Sequence, residues 1–225
     1  RTLKVNGQPY DYFALAAAEA AGLSGIGRLP YTLKIVLENL LRWQAAGNEC
    51  REEIAAIVDW LARRRSEREI GFRPVRVLMP DSSGIPLLGD MAAMRDAMVR
   101  LGGDPGKIGP LIPVDFIVDH SVMVESSGSA DALTHNMDRE FAQNKDRYEF
   151  LRWGALSFEN LHLLPPGTGI CHQINIEYLA RVVWTSDENG RRLAYPDSVI
   201  GMDRHTAMIN ALGIVGWGVG GLEGG

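Results

Sequence analysis

The chain has 225 residues, 46% hydrophobic and 23% charged, with a formal net charge of −5. That is ordinary globular composition, long enough for one large α/β domain or two small ones. A mildly acidic chain does not attract nucleic acid or anionic lipid by its overall field, so no nucleic-acid partner is expected, and an anionic substrate needs local basic groups.

The first seventy residues read as helices. Asp11 is placed to cap Tyr12–Ala21, with Gly22 as a stop. Pro30 and Thr32 precede Leu33–Ala46, whose Leu33, Ile35, Val36, Leu37, Leu40 and Leu41 form a helical stripe. Arg51–Arg65 repeats the pattern and ends in three arginines, which read as a solvated last turn favoured by the helix dipole. After Pro74 the pattern changes. Val75–Met79 reads as a strand, Asp90–Leu101 as a helix capped by Asp90, and Pro113–Val118 as a buried parallel strand. Ala132–Ser157 is one long helical stretch, and Leu161–Leu164 a short strand. Arg181–Trp184 and Arg192–Ala194 form a hairpin around Asn189-Gly190. Val199-Ile200 begins another strand, and Thr206–Leu212 is helical. The glycine-rich segment 213–225 is either a flexible tail or a close-packed turn near a ligand. Strands alternating with helices predict an α/β fold: a three-layer α/β/α domain with a largely parallel sheet over 71–225, preceded by an N-terminal helical segment over 1–70.

Ligands of α/β sheets sit beyond the carboxyl ends of the strands. Three strand ends carry polar residues there: Asp81, Ser82 and Ser83; Asp119 and His120; Asp203, Arg204 and His205. An aspartate that orients a histidine makes a general acid or base near neutral pH. Pro165-Pro-Gly-Thr-Gly169 is a rigid turn that delivers Cys171, His172 and Gln173 to the start of a helical stretch, where free N–H groups suit an anion. Cys171 reads as a small core residue more readily than as a nucleophile. His135 and His162 read as surface or packing residues. With two cysteines, no secretory leader pattern and no apolar run near the ~20 residues that span a bilayer, the chain reads as a cytoplasmic protein with reduced thiols and no membrane partner.

Arg28–Leu41, Phe72–Met79, Gly102–Pro105, Leu111–Asp115, Val118–Val122, Arg147–Trp153, Pro165–Glu177 and Gly216–Glu223 together resemble the N-terminal region of the aconitase family, in the branch of bacterial aconitase A and the iron regulatory proteins. The resemblance implies the α/β/α first domain of a multidomain hydro-lyase that dehydrates and rehydrates a tricarboxylate around a [4Fe–4S] cluster. It implies acid–base and hydrogen-bonding roles for Asp119, His120, His172, Asp203 and His205, and substrate contacts near Asp81, Ser82, Ser83 and Arg204. The family's three cluster cysteines, catalytic serine and substrate-clamping arginines have no counterpart in this sequence, so no metal ligand and no cofactor is expected within it. Four departures fall in site motifs. A substrate-binding glutamine is Pro80, a threonine is Ser83, a serine is Arg204 and a glutamine is Met123. Their concentration in the pocket implies altered ligand choice.

Three readings follow. The first is a cluster-free aconitase-like hydro-lyase or isomerase acting on a small anionic carboxylate. The second is a fragment or subunit of a [4Fe–4S] aconitate hydratase completed by a cysteine-bearing segment. The third is a binding module without catalysis. Surface that relatives bury against further domains predicts self-association or a partner subunit.

Overall fold

The computed structural model describes residues 1–119 and 122–220. In chain order the elements are β1 (Thr2–Val5), β2 (Gln8–Asp11), α1 (Leu15–Ala20), α2 (Tyr31–Ala45), α3 (Arg51–Arg63), β3 (Arg76–Pro80), α4 (Asp81–Arg100), β4 (Val114–Ile117), α5 (Ala132–Gln143), α6 (Lys145–Ser157), β5 (Leu161–Leu164), α7 (Ile176–Tyr178), β6 (Val183–Glu188), β7 (Arg191–Pro196), β8 (Ser198–Gly201) and β9 (Val215–Gly218). A π-helical turn, Cys171–Asn175, leads into α7, and a 3-10 helix, Arg204–Leu212, joins β8 to β9.

The chain folds as two compact units: Arg1–Pro74 with Arg181–Asp197, and Val75–Ala180 with Ser198–Gly225. The first unit is not purely helical. Residues 2–11 form a β-hairpin whose strand β2 pairs with β7, giving a four-stranded sheet of order β1-β2-β7-β6. Both hairpins turn on Asn-Gly. Asn6 and Gly7 have φ of 49° and 81°, and Asn189 and Gly190 have 52° and 79°, the left-handed pair that a tight two-residue hairpin needs. The hairpin over 183–196 therefore belongs to the first unit, not to the α/β layers in which its place in the sequence would put it. The unit's core is formed by α2 and α3 around Leu37, Leu40, Ile54 and Ile57, closed by Ile26 and Leu29. A cavity of about 620 Å³ and an apolar one of about 330 Å³ also lie within this unit.

The second unit is the three-layer α/β domain. Five parallel strands run in the order β5-β4-β3-β8-β9. Side chains alternate between faces along each strand. Met79, Val114 and Phe116 pack on Leu88 of α4 and Leu151 of α6, while Leu78, Ile117 and Val199 pack on Cys171, Ile176 and Ile209 on the other face. The chain builds the sheet outward from β3, first through β4 to β5, then through β8 to β9. The switch point thus falls between β3 and β8, where an α/β sheet opens a crevice beyond its carboxyl ends.

Three boundaries differ from the sequence reading. The helix after β3 begins at Asp81, nine residues before Asp90, so Asp81, Ser82 and Ser83 are its first turn. Gly84 and Pro86 look like helix breakers. A Cβ on Gly84 would overlap the Phe116 ring, so the glycine is what lets α4 lie against β4. The stretch 132–157 is two helices, α5 and α6, that meet at Asn144. Residues 215–218 of the glycine-rich segment form edge strand β9. A Cβ on Gly218 would lie 2.5 Å from the Asp203 carbonyl oxygen, and one on Gly201 would overlap Thr206, so these glycines seat the 3-10 helix directly on the sheet. Among the described residues no helix is long and apolar enough to cross a membrane.

Candidate active site

Asp203 is one of the acids at the strand ends. It follows β8 and caps the 3-10 helix: its Oδ1 accepts the His205 backbone N–H at 2.7 Å. Its carbonyl oxygen accepts the Thr206 hydroxyl at 2.7 Å, which fixes the turn from below. The Nδ1 of His205 lies 3.2 Å from the same carboxylate oxygen. The imidazole itself is exposed, so it stands beside the carboxylate with its ring open to a ligand. Burial works against ionisation of Asp203. The His205 N–H and the fields of His172, His205 and Arg204 outweigh it and hold the carboxyl below the usual 3.8. Asp203 therefore stays ionised beside two histidines and one arginine.

Asp119 follows β4 and is partly buried. Its Oδ2 accepts the Cys171 backbone N–H at 2.7 Å. The free N–H groups at the start of the π turn do suit an anion, and the anion that takes one is Asp119 itself. His172 is buried at 4% exposure and leaves helical geometry at φ −92°, ψ 19°. Single π turns of this kind recur where a side chain must be aimed at a site. The turn is held by Asn175, whose side-chain amide donates to Gly169 O at 2.7 Å. Cys171 has no exposed surface, and burial first, then the fields of Asp119, Asp203, Asp115 and Asp81, push its thiol far up. It is a protonated core residue, not a nucleophile.

The structure thus brings Asp119, His172, Asp203, Arg204 and His205 into one electrostatic neighbourhood. His120 lies outside the described residues. Ser82 is exposed on the first turn of α4, and the Ser83 hydroxyl is buried, with no hydrogen-bond partner among the described residues. Asp81, 3% exposed, is ion-paired with Arg147 of α6, a residue that no local pattern marks, since the two are far apart in the chain. His162 is half exposed, with Nδ1 3.3 Å from Asp115 Oδ1; Asp115 in turn meets the fully buried Arg76 at 3.3 Å. This trio sits within strands β3, β4 and β5, not at their carboxyl ends.

Residues 52–224 match the model of the aconitase family (aconitate hydratase). The chain belongs to the aconitase family. It is 54% identical over 221 residues to aconitate hydratase A of Legionella pneumophila, which covers 98% of this chain and 25% of that protein. Against aconitate hydratase A of Pseudomonas aeruginosa it is 53% identical over 223 residues, 99% of this chain and 24% of the relative. Against the Escherichia coli enzyme of the same name the identity is 49% over 222 residues, 99% and 25%. This aconitase-family chain therefore spans about a quarter of the length of the curated relatives it matches.

An iron–sulfur cluster, which the family implies, does not fit the residues of this chain by themselves. Such a cluster is held by three or four thiolates, and the sequence has two cysteines. Both are free and buried, one in each unit, and burial raises the pKa of both thiols. Among the described residues no group of three or more His, Cys, Asp or Glu side chains could hold a metal.

Proposed function

We propose that this chain supplies the acid–base side of an aconitate-hydratase-type active site, acting on a small polycarboxylate by reversible loss and gain of water. The observation that carries this reading is the Asp203 carboxylate at the switch point of the parallel sheet, 3.2 Å from the His205 ring and held ionised in part by the field of His172. Dehydration of a hydroxy acid needs a base to take the proton from the carbon beside a carboxylate. It also needs an acid to protonate the departing hydroxyl, so that water leaves and a C=C bond forms. His172 and His205 are the proton carriers in this reading, and Asp203 and Asp119 orient the segments that bear them. Ser82 offers an exposed hydroxyl to a substrate carboxylate, whereas the Ser83 hydroxyl faces inward. Arg204, where the family has a serine, adds a cation beside Asp203 and favours a ligand with a further anionic group.

The thiolates of a [4Fe–4S] cluster belong, in this reading, to a cysteine-bearing segment or partner subunit. The quarter-length match to relatives named aconitate hydratase A favours this over a self-sufficient cluster-free enzyme.

The test is turnover of citrate, cis-aconitate and a panel of hydroxylated and unsaturated carboxylates. It is run anaerobically with iron and sulfide, for the chain alone and with the cysteine-bearing remainder of an aconitate hydratase A. Turnover should require the remainder. His205→Ala should abolish it while ligand binding and folding persist; a fully active His205→Ala protein would refute the assignment. Turnover by the chain alone without iron would instead establish the cluster-free enzyme.

A further inference from the structure

Asp81 heads α4 at the switch point, yet its side chain is 4% exposed. A carboxylate so far from water is costly unless a cation and hydrogen bonds neutralise it. Arg147 supplies the cation. Its Nη2 meets Asp81 Oδ2, and 23% of its side chain remains exposed. The guanidinium carbon also lies 5.8 Å from the Tyr148 ring. The Tyr148 hydroxyl donates to Glu140 Oε1 at 2.7 Å, and that ring packs on Phe141 at 4.7 Å. A chain of contacts therefore runs from α5 through α6 to the first turn of α4. On its other side that turn is pressed against β4 through Gly84 and Phe116.

We infer that Arg147 is a positioning residue: through Asp81 it fixes the first turn of α4, and with it the exposed Ser82 hydroxyl, at the strand ends. That this hydroxyl meets a carboxylate ligand rests on the function proposed above. The Asp81 carboxylate, paired with Arg147, then holds the turn. Asp81 at the first helical position adds the favourable interaction of an anion with the positive end of the helix, so the pair holds the turn from both its charge and its contacts.

The experiment is hydrogen exchange on the full chain, read over the segment 81–89, where the Ile85, Leu87 and Leu88 amides report closure of the first turn. Arg147→Met should speed exchange there by about tenfold while β3 and β4 keep their protection. Replacing both partners, Asp81→Asn with Arg147→Met, should restore most of that protection, because the Asp81 charge is removed along with its Arg147 counter-charge. Citrate binding, measured by titration calorimetry on the chain combined with the cysteine-bearing remainder of an aconitate hydratase A, should weaken by about tenfold in Arg147→Met and recover in the double variant. Unchanged exchange over 81–89 in Arg147→Met overturns the inference. So does faster exchange spread evenly over the whole unit that the double variant fails to reverse, because that describes a general packing residue. If citrate binds neither parent nor variant while the exchange pattern holds, the proposed function fails and the positioning role stands.

Discussion

The loops after β4 and β8 both carry an aspartate as their second residue and use its carboxylate on a backbone N–H, but over different reach. Asp203 bonds the N–H of His205, two residues on, and makes a helix cap out of its own loop. Asp119 bonds the N–H of Cys171, on the far side of α5, α6 and β5. The first device needs only local sequence. The second works only once the sheet and both helices are in place, so Asp119 also ties the segment carrying His172 to the strand that carries Asp119. One loop makes a histidine available; the other places a histidine.

The contrast can be broken by substitution. The largest effect belongs to the packing beneath the local cap. Gly201→Ala would drive a methyl into Thr206, and overpacking of this kind costs about 3 kcal/mol. Urea unfolding should show it as a lower midpoint at constant slope. A loss below about 1 kcal/mol would mean the 3-10 helix is free to shift away from β8. Next comes Asp119→Ala. It strands the Cys171 N–H, costs about 2 kcal/mol, and should raise hydrogen exchange across 171–178, far from the substitution in sequence. Asp203→Ala should be milder, about 1 kcal/mol for a lost cap, with faster exchange confined to the start of the 3-10 helix. If Asp203→Ala proves the more damaging of the two, the distinction between local and long-range roles fails.

Acid separates Asp203 further. Its native pKa lies below the ordinary 3.8, so its contribution to stability is complete above that value and is lost as pH falls through the native one. The stability gap between the parent and Asp203→Ala should therefore stay constant from neutral pH down to about 4 and close below it. A gap that already narrows between pH 7 and 5 would show that a histidine, not the carboxylate, governs the cap.

These same differences of reach decided what the sequence could reveal. The parallel strands were legible because Val75–Met79 and Pro113–Val118 are apolar runs, and the Asp203–His205 pairing because its spacing is local. The β1–β2 hairpin was not, although Asn6-Gly7 repeats the Asn189-Gly190 signal. All four residues of Thr2–Val5 are exposed, so no buried alternation marks the strand. Strand β9 hid for a different reason. Gly216 and Gly218 carry no side chain to show a pattern, and their identity is set by the 3-10 helix packed on them. The start of α4 was masked by Gly84 and Pro86, whose meaning lies in the Phe116 ring. At the site, Asp119–Cys171 and Asp81–Arg147 join residues with no local relation, and only the fold reveals them.

The order in which the strands pair has a consequence during synthesis. Asp11 of β2 pairs with Leu193 of β7, and central β3 has β4 on one side and β8 on the other. At roughly 5–20 residues per second, a ribosome needs roughly ten to forty seconds to take the chain from β2 to β7. Through that interval the nascent chain carries an open edge on the first hairpin and another along β3, both templates for pairing with a neighbouring chain. A nascent-chain experiment stalled just before Arg191 should therefore find the polypeptide at its most chaperone-dependent, with relief arriving as residues 191–201 emerge.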